Sequence, residues 1–569
     1  MIMARNDSSH FSILPSAHIQ RSIFKRPSRH TTSFNVGDVV PLYVDEILPG
    51  DSVEITMSKL VRLQTLHSPI FDDLFMDTYW FFVPNRLTWE HWQQFQGENT
   101  ESAWAPTTTY SVPKLIPPEG GWKTGTIADY LGIPVGVSVT DSKKAPSALP
   151  FRGYSLICNT FFRDENLTDP LNVYVGDSSL TGSNGSNYLV DVPLGGKPFK
   201  AAKLHDYFTS ALPSPQKGKA VNIPIPSYSG GTFPVTTGAD QTFNSASSPL
   251  RFFSKVYNTD GSWTDFGSLH QPGYVQIDGS SGDYSWRYGS NSGELTSSKV
   301  YAFPANLQVD VPGSTASNFT VNDLRYAFAA QEYLERNARG GSRYTEILRN
   351  HFGVVSPDAR LQIPEYLGGN RIRLNVSAVA NTAQTDKDFL GDLGANSVTA
   401  DVHFDVRKSF TEHGYLFCLG VVRYRHTYAQ GLERFWLRDS VFDFFLPVFS
   451  SIGEQPVYRD EIFYSDDNPV GDVFAFQEAW SDYRYKPSRV SGELRPNVNN
   501  SLFTWTLADN YSSPPVLSDS WIREDAANVD RVLTVSSSVS NQVFGDFAFD
   551  VRHTRPMPMY SIPAHLGRM

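Results

Sequence analysis

Apolar residues in this chain gather in short runs, and only one stretch carries a helical period. Val39–Val44, Ser52–Met57, Tyr79–Val83, Tyr415–Tyr424 and Phe547–Arg552 are rich in β-branched and aromatic residues and predict strands. Pro and Gly close most such runs, as in Leu48-Pro49-Gly50-Asp51 and Val83-Pro84-Asn85, which read as turns. The exception places Leu324, Ala327, Phe328, Gln331 and Leu334 on one helical face. Thr320 with Asp323 three residues on caps its start, and Gly340-Gly341 ends it. A second, shorter helix is expected from Tyr344 to His351. Helix is the minority state, so the pattern predicts an all-β core interrupted by long excursions.

Two regions break the texture. Near the start, Arg5, Arg21, Lys25, Arg26 and Arg29 are interleaved with His10, His18, His30 and serines. With so little to bury, residues 1–33 are expected to form a basic arm. Between about 172 and 318 the chain is rich in Gly, Ser, Asn and Thr, yet carries Phe252-Phe253, Trp263, Tyr274 and Tyr284-Ser285-Trp286. A flexible linker would not carry those rings, so a folded, turn-dense surface insertion is expected, centred on 221–303. Core segments 34–220 and 304–569 flank it, the latter containing the helices.

Composition narrows the class. Of 569 residues, 40% are hydrophobic, 13% aromatic and only 19% charged, the balance of a folded chain able to make wide contacts. The 48 Lys+Arg against 59 Asp+Glu leave −11, so nucleic-acid contact must be local and a monomeric nucleic-acid-binding protein is disfavoured. Two cysteines, Cys158 and Cys418, give no disulfide framework and suit a reducing cytoplasm. Residues 1–20 lack the apolar core of a signal peptide, and the longest apolar stretches, such as Val441–Ser450, fall short of the ~20 residues that span a bilayer. A chain without membrane insertion, not exported by the usual route, is expected.

Catalytic motifs do not assemble. The sequence has no HExxH, CxxC, GxSxG or Walker loop. Gly195-Gly196-Lys197 lacks the spacing of a phosphate cradle, and Asp51 in Gly50-Asp51-Ser52 reads as turn chemistry. His403, His413 and His426 could meet as metal ligands, but their spacing favours separate hydrogen-bonded histidines. Asp466-Asp467 and the Glu332/Glu335 pair read as solvated carboxylates. No enzyme activity, metal or cofactor is therefore expected. Basic residues beside aromatics suit single-stranded nucleic acid, where bases stack and phosphates pair. Arg21, Lys25, Arg26 and Arg29 of the arm, Arg484, Lys486 and Arg489 around Tyr485, and Arg552 and Arg555 near the C-terminus are the candidates. Arg336, Arg339 and Arg343 instead suit the helix C-terminus or an interface.

Several blocks carry a likeness. Phe34-Asn35-Val36-Gly37, Val40-Pro41-Leu42-Tyr43-Val44-Asp45-Glu46-Ile47, Phe81-Phe82-Val83-Pro84-Asn85-Arg86 and Leu212-Pro213-Ser214-Pro215 resemble major capsid proteins of the Microviridae, in the gokushovirus branch. Leu334–Tyr344, Ser356–Gly369, Tyr483–Arg489 and Arg555-Pro556-Met557-Pro558 are similar too, and the blocks are collinear along the chain. Asn337 and Ile363 depart from the pattern, where an acid and an Arg are usual. The resemblance implies an eight-stranded antiparallel jelly roll with very long loops and a few short helices. It implies a T=1 icosahedral shell around a circular single-stranded DNA genome, with internal scaffolding and minor (DNA pilot) proteins as partners. The insertion would cluster at threefold axes and meet a host surface receptor, with Trp263, Tyr274, Tyr284 and Trp286 as attachment candidates. The virion, assembled in the host bacterial cytoplasm, is the implied location. The alternative is a secreted β-sandwich whose Trp263, Tyr284 and Trp286 stack on glycans. The missing signal peptide and credible carboxylate pair weigh against it.

Overall fold

The computed structural model describes residues 20–101, 108–139, 141–219, 221, 321–380, 382, 391 and 393–560, with only the backbone of short strands between 236 and 308. It divides into two compact units, Met1–Lys219 with Tyr333–Met569, and Ala220–Glu332.

The larger unit is built on two antiparallel sheets. Its long strands are β1 (Ser22–Lys25), β2 (Ser28–Phe34), β3 (Val40–Ile47), β4 (Ser52–Leu63), β5 (Leu74–Pro84), β6 (Glu365–Arg373), β7 (Thr399–Ser409), β8 (Gly414–Tyr424) and β9 (Val543–Arg555). One sheet runs β1–β9–β4–β7, with β2 also along β9; the other runs β6–β5–β8–β3. All five runs expected as strands are strands, and four of them extend well past their predicted ends. Pro41, which cannot donate to a ladder, sits on the edge strand β3 where a register shift opposes Leu419 to Pro41.

One apolar core lies between the sheets. Val53, Ile55 and Met57 of β4 and Phe547, Phe549 and Val551 of β9 meet Met76, Trp80 and Phe82 of β5 and Leu416, Cys418 and Val422 of β8. A second core covers the other side of β5 and β8, where Phe81, Val83, Phe417, Leu419 and Val421 pack with Phe151, Tyr154 and Ile157 of α1 (Leu149–Ile157). Gly153 allows that approach: a Cβ there would come 3.1 Å from the Phe417 ring.

The helical period is realised as α2 (Val321–Gly340), followed by Gly341 at φ +90 and by α3 (Tyr344–Phe352). The expected cap, Thr320, lies outside the described residues. In the second unit, Phe252–Tyr257 pairs with Trp263–Asp265 and Lys299–Pro304, and Val275–Asp278 with Ser285–Tyr288, all antiparallel.

The expected arm needs a correction. Residues 22–34 are strands laid along β9, from Ser22 opposite Arg555 to Phe34 opposite Val543. Backbone ladder bonds hold a segment that has few apolar side chains to bury, which is why composition alone reads it as an arm.

Candidate functional site

The outer face of the β1–β9–β4–β7 sheet carries the clearest cationic feature. Register places Lys25 opposite Arg552, Arg552 opposite Glu54, and Glu54 opposite Arg407. Val551 and His553, the neighbours of Arg552, are fully buried, so Arg552 and its cross-strand partners point outward. Arg407 is paired with Glu54 at 3.1 Å. Among the described residues Lys25 and Arg552 have no ion pair. Like charges directly opposite are unfavourable, so this end of the row favours an anion.

Most other cationic candidates are already neutralised within the chain. Arg26 lies 2.6 Å from Asp45, Arg555 3.1 Å from Asp51 and Arg484 2.8 Å from Glu478. Arg29 pairs with Asp546, and Lys486 and Arg489 share Glu433. Arg21 is exposed just before β1. The structure thus brings Lys25 and Arg552 together, while the three cations of the Arg484–Arg489 loop are all paired, with Glu478 and the shared Glu433. On the helices, Arg339 reaches Glu454 at 2.6 Å and Arg343 pairs with Glu346 at 3.2 Å.

Two buried charge clusters were not legible in the sequence. His426, just past β8, has Nδ1 2.9 Å from Asp509 and Nε2 3.1 Å from Glu524. Asp509 also accepts from Tyr511 at 2.8 Å and from Asn528 at 2.6 Å. Burial alone drives the imidazole pKa down, but the two carboxylates outweigh it and raise it to about 9. Burial pushes the Asp509 carboxyl up, and His426 and Lys203 outweigh that to hold it near about 2. Both imidazole nitrogens are occupied and the ring is 1% exposed, so it has no free nitrogen to act as a base on a substrate. The second cluster places His553 Nε2 3.2 Å from Asp45, beside Arg26, Asp51 and Arg555. Burial raises the Asp45 carboxyl, and His553 and Arg26 outweigh it, leaving it at about 2. Asp45, Asp509 and Glu524 are separated along the chain by hundreds of residues or by irregular loops, and no sequence signal joins them to their histidines.

The remaining chemical candidates are dispersed. Asp51 accepts from the Leu48 amide at 3.1 Å, as a turn residue does. Gly195, at φ +79, closes a short 3-10 turn whose start is Val192. His403 pairs with Asp405 at 3.0 Å and His413 packs edge-on to Trp92, so neither shares partners with His426. Burial pushes the Cys158 and Cys418 thiols far up, which leaves them unreactive. Trp263 and Trp286 stand on short strands of the second unit, and Tyr274 and Tyr284 lie outside the described residues. Among the described residues no helix is long and apolar enough to cross a membrane.

Comparison with known proteins gives one answer over the whole length. The family model described as "Capsid protein (F protein)" matches residues 12–565. The chain is 39% identical over 558 residues to the capsid protein VP1 of Spiroplasma virus 4, covering 97% of each. It is 37% identical over 570 residues to capsid protein VP1 of Bdellovibrio phage phiMH2K, covering 99% of each. Capsid protein VP1 of Chlamydia phage 1 is similar at 36% over 586 residues, with 97% of each covered.

Proposed function

Because the chain belongs to the capsid protein (F protein) family of the Microviridae, a structural protein of the virion, we propose that it self-assembles into a T=1 icosahedral shell enclosing a circular single-stranded DNA genome. The observation that carries this reading is the extent of likeness, 97–99% of each chain in three capsid relatives.

The strand order supports the eight-stranded jelly roll. β1 and β2 pair consecutively along β9 and count as one interrupted strand. Numbered one to eight along the chain, the strands then stand 1-8-3-6 in one sheet and 5-4-7-2 in the other, the wrapping of two Greek keys. Such a sandwich anchors long loops that meet neighbouring subunits, and holds many modest contacts in register.

The Lys25–Arg552 end of the open sheet is the proposed genome contact, joined by Arg21, with Arg26, Arg29 and Arg555 contributing once their internal pairs exchange for phosphate. The unit around 221–303 is the proposed host-attachment part, using Trp263, Tyr274, Tyr284 and Trp286. Scaffolding and pilot proteins and a host receptor are the further partners, and the bacterial cytoplasm is the site of assembly.

Electron microscopy of the full-length chain, expressed with its neighbouring viral genes, tests the assembly. Uniform small shells are expected; only monomers or irregular aggregates would overturn it. Genome contact is tested by Lys25→Ser/Arg552→Ser in filled particles, where the salt dependence of DNA retention should fall by about two contacts' worth. Unchanged retention across salt would reject that role.

A further inference from the structure

The segment 433–452 presents apolar side chains outward from a conformation fixed by polar contacts. It passes through three short 3-10 turns, Arg434–Leu437, Val441–Asp443 and Pro447–Phe449. Its base is tied down from several directions. Arg438 pairs with Asp482 and lies 4.3 Å over the Tyr483 ring. Tyr483 Oη accepts from the Phe445 amide at 3.2 Å, and the Trp480 indole donates to the Phe449 carbonyl at 2.7 Å. Asp443 accepts from the Ser440 amide at 2.7 Å and closes the middle turn.

What this scaffold displays is unusual for an isolated subunit. Val448 is 87% exposed and Val441 and Phe442 are 70% exposed, with Trp436, Phe444 and Ile452 at least half exposed. Soluble monomers rarely leave so large a contiguous apolar patch bare. Beside it opens a hollow of about 370 Å³ lined by Phe435, Tyr207, Tyr483 and Tyr485, large enough for an incoming side chain.

We propose that this segment is a contact surface for a second copy of the same chain, the apolar rings of 435–452 forming the buried centre of a subunit interface. The proposal rests on the capsid reading and names where that association occurs. Area supports it: nine large apolar residues between 435 and 452 are exposed, and at roughly 100 Å² apiece they offer on the order of 900 Å². A standard interface buries about 800 Å² per partner. Charge points the same way. The cations at its base, Arg434, Arg438, Lys486 and Arg489, are each paired with Glu461, Asp482 or Glu433, so most of their charge is compensated within the subunit and they offer phosphate little. Trp, Tyr and Arg are the residues enriched among those that carry most of the binding energy in protein interfaces, and Trp436, Arg438 and Tyr483 supply one of each here. Fixing the turns in the free subunit lowers the ordering entropy lost on contact.

The native cysteines are buried, so a cysteine placed on the patch reports alone. In the full-length chain Val448→Cys should react with N-ethylmaleimide readily in dissociated subunits and at least tenfold more slowly in shells, whether empty or DNA-filled. Equal reactivity in shells and subunits would overturn the proposal, as would protection seen only in filled shells, which assigns the cover to DNA. Trp436→Ser/Phe442→Ser should cut shell yield at least tenfold while the subunit keeps its unfolding midpoint; shells at full yield would overturn it. Failure of the unmodified chain to form any shell would instead sink the capsid reading.

Discussion

The two sheets of the larger unit bury the same core with different strategies. β5 and β8 are covered on both faces, by the opposite sheet and by α1 with its loops, and nearly every residue along them is buried. β4 and β9 alternate strictly, every second residue buried and its neighbour facing out. The covered sheet therefore reads as continuous apolar sequence, Leu416-Phe417-Cys418-Leu419, while the open one reads as apolar-polar alternation, Phe547-Ala548-Phe549-Asp550-Val551-Arg552. A covered sheet gains stability but has no face for a partner; the open sheet keeps one, and the uncompensated cations lie on it.

Substitutions on the two central strands should separate these strategies. Phe417→Ala, fully buried against α1, should cost about 3–5 kcal/mol in urea unfolding of the subunit. Phe544→Ala, on the outer face of β9, should stay within about 1 kcal/mol. Equal losses would mean that the open face is covered within the subunit after all.

The charges beyond β8 sharpen the contrast by pH. His426 is raised to about 9 in the folded subunit, so its stabilising contribution is complete below the unfolded value of 6.5. That contribution, at most about 3 kcal/mol, is lost as pH rises through about 9. Unfolding midpoints measured from pH 6 to 10 should fall for the unmodified chain. His426→Gln should start lower and run flat across the same range. A parallel decline in both would assign the alkaline loss to other groups.

The smallest effect is expected at the open edge. Arg29 is largely exposed where it pairs with Asp546, and Arg29→Ala should leave the unfolding midpoint unchanged within error. A clear loss there would show that the edge strands depend on side-chain charge as well as on ladder bonds.

Much of the fold was legible because side-chain period and turn chemistry are local. The runs at Val39–Val44, Ser52–Met57, Tyr79–Val83 and Tyr415–Tyr424 become β3, β4, β5 and β8, and Asp51 and Gly340-Gly341 play their expected parts at a turn and a helix end. Residues 22–34 escaped because an edge strand can be held by backbone bonds with few apolar side chains, leaving no compositional mark. That these residues are cations is plain in the sequence, yet their pairing depends on carboxylates elsewhere: Asp546 is far from Arg29 in sequence, and Glu433 lies well before Lys486 and Arg489.

By itself the sequence determined the β class, five of the nine long strands, helices α2 and α3 and, through its collinear blocks, the capsid family, but not α1, β6 or β7. Tertiary structure alone decided which cations remain unpaired, which histidine is locked between acids, and which apolar run stays exposed. The physical reason is range. Periodicity and turn preference act over a few residues, whereas electrostatic pairing and burial depend on groups that only folding brings within a few ångströms. Val441–Ser450 and Leu416–Val422 are both apolar in sequence, but only β8 receives α1 and the opposite sheet over its two faces.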